Sequence, residues 1–209
     1  MKKYLFIGLM AVLATSCEKD PDLSKLDNNF TVYTNYDSKT NFNDFKTYCL
    51  PDSILLIGQG MKAEFWKDEN AQEIIKQVAD EMDTRGYTRV KVIKNANIGL
   101  QLSFTRQTTQ IIGTGGWYGG WWGPGYWGPY WNDWYYPYPV TYSYNTGTLI
   151  MEMVNLTDHP EDTSQKVKLP VIWHSYATGL LFENSKYNMQ LTLDAVNQAF
   201  DQSPYIKKS

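Results

Sequence analysis

Alternating apolar and polar residues mark the predicted strands of this chain, and the clearest example is Ile98 to Thr105. There, Ile, Leu, Leu and Phe alternate with Gly, Gln, Ser and Thr. Because a period of two places successive side chains on opposite faces of a sheet, this pattern predicts a strand with one buried face. Shorter patterns of the same kind predict strands at 30–36, 45–50, 53–57, 140–144, 148–156 and 171–176.

Two other segments carry apolar residues at helical spacing. The first spans 70–85 and is followed by Gly86, a residue type that commonly ends helices. The second spans 187–201 and ends before Pro204. The Asn-Thr-Gly sequence at 145–147 favours a hairpin turn. Tight turns between neighbouring strands favour antiparallel pairing, so we predict an α+β fold with a mainly antiparallel sheet and both helices on one face.

A segment at 113–139 interrupts these patterns, because it consists almost entirely of Gly, Pro, Trp and Tyr. It holds six of the eight tryptophans of the chain and a single charged residue, Asp133. Glycines and prolines break the hydrogen-bonding patterns of both helices and strands. We therefore expect no regular strand in this segment and interpret it as a long insertion between two strands.

Three roles remain open for this aromatic insertion. It could be a low-complexity loop that packs on itself. It could contact a membrane or another protein, since Trp and Tyr combine an apolar ring with a polar group. It could also stack against sugar rings, although it has few polar side chains to orient hydroxyl groups. The candidate binding residues are Trp117, Trp121, Trp122, Trp127, Trp131 and Trp134.

The first 16 residues have the pattern of a lipoprotein signal peptide. Lys2 and Lys3 precede an apolar run, 4–13, which is much shorter than the roughly 20 residues that a spanning helix needs. Small residues then lead to Cys17, which resembles the cysteine that is acylated and becomes the new N-terminus of bacterial lipoproteins. We predict a signal peptide at 1–16 and a membrane anchor through lipidated Cys17.

Residues 17–29 are polar and lack apolar periodicity, so we predict a tether that links the lipid to one α+β domain at 30–205. The acidic start of this tether, Cys-Glu-Lys-Asp, resembles the export signals of Bacteroidetes surface lipoproteins. The predicted location is the outer membrane, with the domain facing either the periplasm or the cell surface.

Composition narrows the possible partners. The chain has 19 basic and 22 acidic residues, so we expect no nucleic acid partner. An acylated Cys17 leaves Cys49 without an intrachain partner, and a domain of this length needs no disulfide or metal to fold. We expect no cofactor and no metal site.

Candidate catalytic residues are few. The sequence lacks a nucleophile elbow, a phosphate-binding loop, a zinc-protease motif and a dinucleotide fingerprint. His159 lies in an acidic loop and His174 in a predicted strand, and we interpret both as structural. A hydrolase would need paired acids in a cleft, and Asp37, Glu152 and His174 are the positions to inspect. We predict that the protein is not an enzyme.

Four pieces of the chain share a resemblance. They are residues 36–48, Arg85-Gly86-Tyr87 ahead of Ala96-Asn97-Ile98, the Gly-Thr-Leu strand within 144–154, and the strand around Trp173. In this order they resemble bacterial lipoproteins of domain-of-unknown-function family 4136. Asn155 and Ser175 depart from the usual aspartate and glycine of that pattern. The resemblance implies an envelope lipoprotein with an α+β domain and supplies no catalytic residues.

These observations predict a lipid-anchored, non-enzymatic binding protein of the bacterial envelope. Its partner would be the membrane or an envelope protein, contacted through the insertion at 113–139. A glycan-binding surface lipoprotein is the first alternative, and a hydrolase of envelope polymers is a less favoured one.

Overall fold

Strands and helices follow one another in an α+β order, as predicted. The computed structural model describes residues 30–57, 64–105, 124–140, 147–158, 166–180 and 186–208. The strands in these ranges are β1 (Thr31–Tyr36), β2 (Thr47–Cys49), β3 (Ile54–Ile57), β4 (Glu64–Trp66), β5 (Thr88–Arg89), β6 (Ile98–Thr105), β7 (Trp131–Tyr135), β8 (Thr148–Asn155) and β9 (Val167–Thr178). The helices are α1 (Glu69–Thr84), α2 (Pro124–Trp127) and α3 (Lys186–Asp201).

The nine described strands form one mixed sheet with the central order β1-β9-β8-β6-β2-β5. Strand β3 pairs with β6 and β4, and β7 pairs with the first part of β9. The pairs β1–β9, β8–β9, β6–β8 and β3–β4 are antiparallel, whereas β2–β5, β2–β6, β3–β6 and β7–β9 are parallel. The prediction of a mainly antiparallel sheet is thus only partly right. Helix α1 lies between β3 and β6 in the chain and provides the crossover that parallel pairing requires.

The two long helices pack against one face of the sheet. Helix α1 begins after Asp68, whose carboxylate accepts a hydrogen bond from the Ala71 amide at 3.0 Å. Its apolar stripe joins one core with the helix-facing residues of β6 and with Phe200 of α3. The helices also meet directly, since Gln77 Nε2 donates to Asn197 Oδ1 at 2.5 Å.

The opposite face of the sheet is also buried over its central strands, β6 and β8. All eight residues of β6 and all eight of β8 are buried, polar ones included, so the half-buried strand predicted at 98–105 is wrong on this point. The cover comes from the predicted insertion, whose helix α2 and residues 136–138 contact β6, β8 and β9 from this side, while β7 pairs with the first part of β9. We call this side the aromatic-covered face.

The expectation that no strand forms within 113–139 is wrong for residues 131–135, which make up β7. The seven residues 130–136 contain neither glycine nor proline, so a short strand fits between the breakers on either side. The hairpin predicted around 145–147 falls largely on residues 141–146, which lie outside the described residues.

Candidate functional site

Four polar side chains lie in one row across the aromatic-covered face. Gln101 of β6 is in register with Glu152 of β8, Glu152 with His174 of β9, and His174 with Asn35 of β1. Side chains in register on neighbouring strands lie beside one another on the same face of a sheet. The sheet therefore brings together residues that are far apart in the sequence.

The carboxylate of Glu152 is buried within this row, and each of its two oxygens accepts a hydrogen bond. Gln101 Nε2 donates to Oε2 at 2.6 Å, and the hydroxyl of Tyr136 donates to Oε1. Trp127 Nε1 donates in turn to Gln101 Oε1 at 3.1 Å. Burial raises the pKa of Glu152, and the two hydrogen bonds partly oppose this increase. The aromatic insertion is thus joined to the sheet by a chain of polar contacts.

The imidazole of His174 is covered by two tyrosines. Tyr138 lies nearly parallel to it, with ring centroids 5.5 Å apart, and its hydroxyl oxygen is 3.0 Å from His174 Nδ1. Tyr136 meets the same imidazole edge to face at 5.7 Å. Burial lowers the pKa of His174 to about 3, so the ring is neutral at pH 7.

Three of the six predicted binding tryptophans are buried inside the domain. Trp127, Trp131 and Trp134 pack with apolar residues of β8 and β9. Together they form a second core, on the aromatic-covered face of the sheet. Because these three indole rings are buried, they cannot contact a binding partner in this structure. Trp117, Trp121, Trp122 and Cys17 lie outside the described residues.

The exposed aromatic rings of the described residues are tyrosines. Tyr33 is 41% exposed and Tyr135 is 40% exposed. Tyr33 is in register with Tyr176 of β9, and the two rings stack with centroids 5.0 Å apart at an angle of 24°. The sequence indicated Tyr33 only as a member of an alternating strand, and its pairing depends on a register that the sequence does not reveal.

The positions to inspect for a hydrolase, Asp37, Glu152 and His174, do not form a pair of acids in a cleft. Asp37 accepts a hydrogen bond from the Lys39 amide at 3.0 Å, as expected of a turn residue. Glu152 and His174 are each 1% exposed and are in contact with tyrosines of their own chain. Within the described ranges, no three His, Cys, Asp or Glu side chains are grouped as metal ligands would be.

Sequence reasoning missed the partners that complete this site, namely Gln101, Tyr136 and Tyr138. Gln101 was visible as one of the polar members of an alternating strand, but a polar residue there suggested solvent. Tyr136 and Tyr138 lie two residues apart just after β7, and this spacing places both rings over the same face. The sequence alone does not predict that these tyrosines contact Glu152 of β8 and His174 of β9.

A sheet with helices on one face and an aromatic layer on the other defines a small α+β domain with cores on both sides. In the part of the chain that the structure describes, no helix is long and apolar enough to cross a bilayer. The chain belongs to the family DUF4136, a domain of unknown function, whose model matches residues 32–205. The family resemblance predicted from the sequence is therefore confirmed.

One solved relative resembles most of this chain. A DUF4136 family protein from Bacteroides thetaiotaomicron is 43% identical, with a TM-score of 0.75, and the match covers 88% of this chain and 100% of that one. A PelC dodecamer from Paraburkholderia phytofirmans matches at 11% identity and TM-score 0.42, over 86% of this chain and 99% of that one.

A third similarity is equally distant. A PDZ domain protein from Parabacteroides distasonis matches at 13% identity and TM-score 0.42, over 86% of this chain and 36% of that one. No curated protein matches the sequence. The family membership therefore rests on the family model and on the Bacteroides relative.

Proposed function

We propose that this protein is a lipid-anchored lipoprotein of the outer membrane whose domain is a non-enzymatic binding module. The lipid would be attached to Cys17, behind the signal peptide predicted at 1–16. The domain would contact another envelope component through its aromatic-covered face. The cysteine motif supports the anchor, and the described domain supports the binding role.

The observation that carries the binding role is the exposure of Tyr33 and Tyr135. Both rings are about two-fifths exposed, whereas the described tryptophans of the insertion are buried. Tyrosine is enriched in binding surfaces because it offers a large rigid ring with a polar end. The contact role predicted for the six tryptophans is therefore transferred to these two tyrosines for the described part of the chain.

The side chains of Glu152 and His174 are covered by tyrosines of the same chain, and this favours a binding role over a hydrolase. A catalytic acid or base must come within hydrogen-bond reach of its substrate. Here Tyr136 and Tyr138 occupy those positions. Their hydrogen bonds fix the aromatic layer on the sheet and give both buried polar groups a structural role.

An anchor makes a weak contact sufficient. A lipid on Cys17 would confine the domain to the membrane surface, where the effective concentration of a neighbouring partner is high. The affinity of the domain itself can then be modest. This division of roles predicts that the domain retains a measurable affinity for the envelope when the lipid is removed.

The test uses the Cys17→Ala protein, which cannot be acylated, and outer-membrane vesicles prepared from the source bacterium. We expect saturable co-sedimentation, weakened at least about tenfold by the additional changes Tyr33→Ala and Tyr135→Ala. Val92→Ala is the matched control, because Val92 is 48% exposed and lies in the connection before β6.

Failure of the Cys17→Ala protein to sediment would overturn the binding module. Equal sedimentation of the tyrosine variants would overturn the assigned surface. Protein-free vesicles made from the extracted lipids provide a third arm, since binding to them would identify the lipid surface itself as the partner.

A further inference from the structure

From the end of β7 onwards, residues that contact the sheet alternate with residues that are exposed. Tyr136 donates a hydrogen bond to Glu152, and Tyr138 stacks on the imidazole of His174. Both tyrosines therefore point towards the sheet. The residues before, between and after them are exposed, and we call these three the apolar ridge: Tyr135, Pro137 and Pro139.

The apolar ridge is held firmly on the domain. Its two intervening tyrosines are fixed by the contacts with β8 and β9, and its far end is tied to β1, since Asn35 Nδ2 donates to the carbonyl oxygen of Pro139 at 3.4 Å. Two of its three residues are prolines, whose rings fix the backbone angle φ. A surface ordered in this way loses little conformational entropy when it binds.

The chemistry of the ridge suits the boundary between lipid and water. Residues 134–140 include no charged residue, and Asp133, which precedes them, is paired with Lys168 at 3.5 Å. Proline has no backbone N–H, and unpaired N–H groups are what make irregular backbone costly to bring into lipid. Tyrosine is enriched at membrane boundaries, because its ring is apolar and its hydroxyl is polar. The ridge can therefore enter this boundary at a low cost of desolvation.

The proposed anchor keeps a lipid surface within reach of the ridge. The predicted tether, 17–29, can span at most about 45 Å when fully extended. It leads directly to β1, and β1 is the strand whose Asn35 contacts the end of the ridge. The bilayer that holds the lipid is thus the surface that the ridge meets at high effective concentration.

We propose that the apolar ridge inserts into the headgroup region of the bilayer to which Cys17 is anchored. This inference rests on the anchor and the binding function proposed above, and it names the lipid surface as the partner. The ridge includes Tyr135 from the proposed binding surface and adds Pro137 and Pro139 to it. Because its side chains are uncharged, it needs no anionic lipid.

The first experiment measures co-sedimentation of the Cys17→Ala protein with phosphatidylcholine vesicles over a range of lipid concentrations. We expect binding that Pro137→Asp weakens at least about tenfold, since this change brings a charge into the headgroup boundary. Gln198→Asp is the matched control, because it adds the same charge at an exposed position of α3, on the opposite face of the sheet, and should leave the affinity unchanged.

A second experiment detects insertion directly and does not depend on a loss of affinity. A nitroxide label is attached at Pro137→Cys, or at Gln198→Cys as control, in the Cys17→Ala protein, whose other cysteine, Cys49, is buried. On addition of vesicles we expect the label at 137 to become more accessible to oxygen and less accessible to a water-soluble nickel complex. The label at 198 should keep its accessibility to both.

Three results would overturn the lipid contact. They are a Cys17→Ala protein that does not bind phosphatidylcholine vesicles or binds only after anionic lipid is added, equal weakening by both aspartate variants, and a label at 137 that does not respond to vesicles. Urea unfolding of each variant checks that the fold is retained. Binding to outer-membrane vesicles without binding to pure lipid refutes only the ridge, whereas loss of both refutes the binding module itself.

Discussion

Gly99 illustrates how a single residue permits the aromatic layer to lie on the sheet. A Cβ at this position would come within 2.7 Å of the indole of Trp127 and within 2.7 Å of Val154 Cγ2. Both neighbours are buried and have little room to move. The missing side chain therefore provides the space that the indole occupies.

We expect Gly99→Ala to destabilise the domain by about 1–3 kcal/mol, the usual cost of overpacking a core. Urea unfolding followed by circular dichroism measures the change. In a Trp127→Ala background the indole is gone and only the contact with Val154 remains, so the same substitution should cost less. If Gly99→Ala lowers the free energy of unfolding equally in both backgrounds, the indole of Trp127 is not the reason why glycine is needed at position 99.

The buried imidazole of His174 makes the free energy of unfolding depend on pH in the acidic range. Its pKa is about 3 in the folded protein and about 6.5 in an unfolded chain. Between these values the unfolded chain binds a proton that the folded domain does not, so stability present above pH 6.5 is lost as the pH falls towards 3. The full shift corresponds to about 5 kcal/mol. We expect the melting temperature to fall over this range, and His174→Asn to flatten the profile.

Glu152 provides the control for this pH experiment. Burial raises its pKa, so its contribution has the opposite sign, and stability is lost as the pH rises through its titration. Glu152→Gln can keep the contacts with Gln101 and Tyr136 by turning its amide, and it removes the ionisable group. An acid-induced fall in melting temperature that disappears in Glu152→Gln but persists in His174→Asn would contradict the assignment to His174.

At the scale of elements, the position of β7 and residues 136–138 decides which variants of the insertion can be used to test binding. Because this part of the insertion is a layer of the fold, deleting 113–139 would uncover β6 and β8 and could not report on partner binding alone. Single substitutions on β7 are the appropriate probes.

We expect Trp131→Ala and Trp134→Ala each to cost about 3–5 kcal/mol, the range measured for truncating large buried aromatic side chains. Tyr135→Ala lies on the same strand with its ring 40% exposed and should cost less than about 1 kcal/mol. Urea unfolding distinguishes the two cases. Similar costs for all three variants would mean that β7 does not bury its tryptophans as described.

Sequence periodicity predicted the elements whose pattern depends on local spacing. Helix α1 lies at 69–84 against the predicted 70–85, and β1 lies at 31–36 against 30–36. Strand β7 was missed because glycines and prolines surround it, and the two-residue β5 was missed because it is too short to show a period. The parallel pairs were missed because pairing partners are chosen by tertiary contacts rather than by local sequence.

The candidate site was less predictable than the fold for the same reason. His174 was correctly interpreted as a histidine within a sheet. Its neighbours Glu152 and Tyr138 come from other parts of the chain, and only the register of β8 with β9 brings them together. The composition of the insertion favoured an exposed surface, whereas the described tryptophans make a core.

At the scale of the whole molecule, the proposed lipid and the domain have separable tasks. We expect Cys17→Ala to move most of the protein from the membrane fraction to the soluble fraction, since several acyl chains supply most of the membrane affinity at about 0.8 kcal/mol per methylene group. Immunoblotting of fractionated cells measures the distribution. A Cys17→Ala protein that stays wholly in the membrane fraction would assign the attachment to the domain instead.

The pairing of β1 with β9 has a consequence for the order of events after synthesis. Thr31 is in register with Thr178, so β1, the first described strand, pairs only with β9, the last described strand. Such long-range pairings give a high contact order, and high contact order slows folding. In a chain that is still being synthesised, β1 therefore cannot take its place in the sheet until residue 178 has been made.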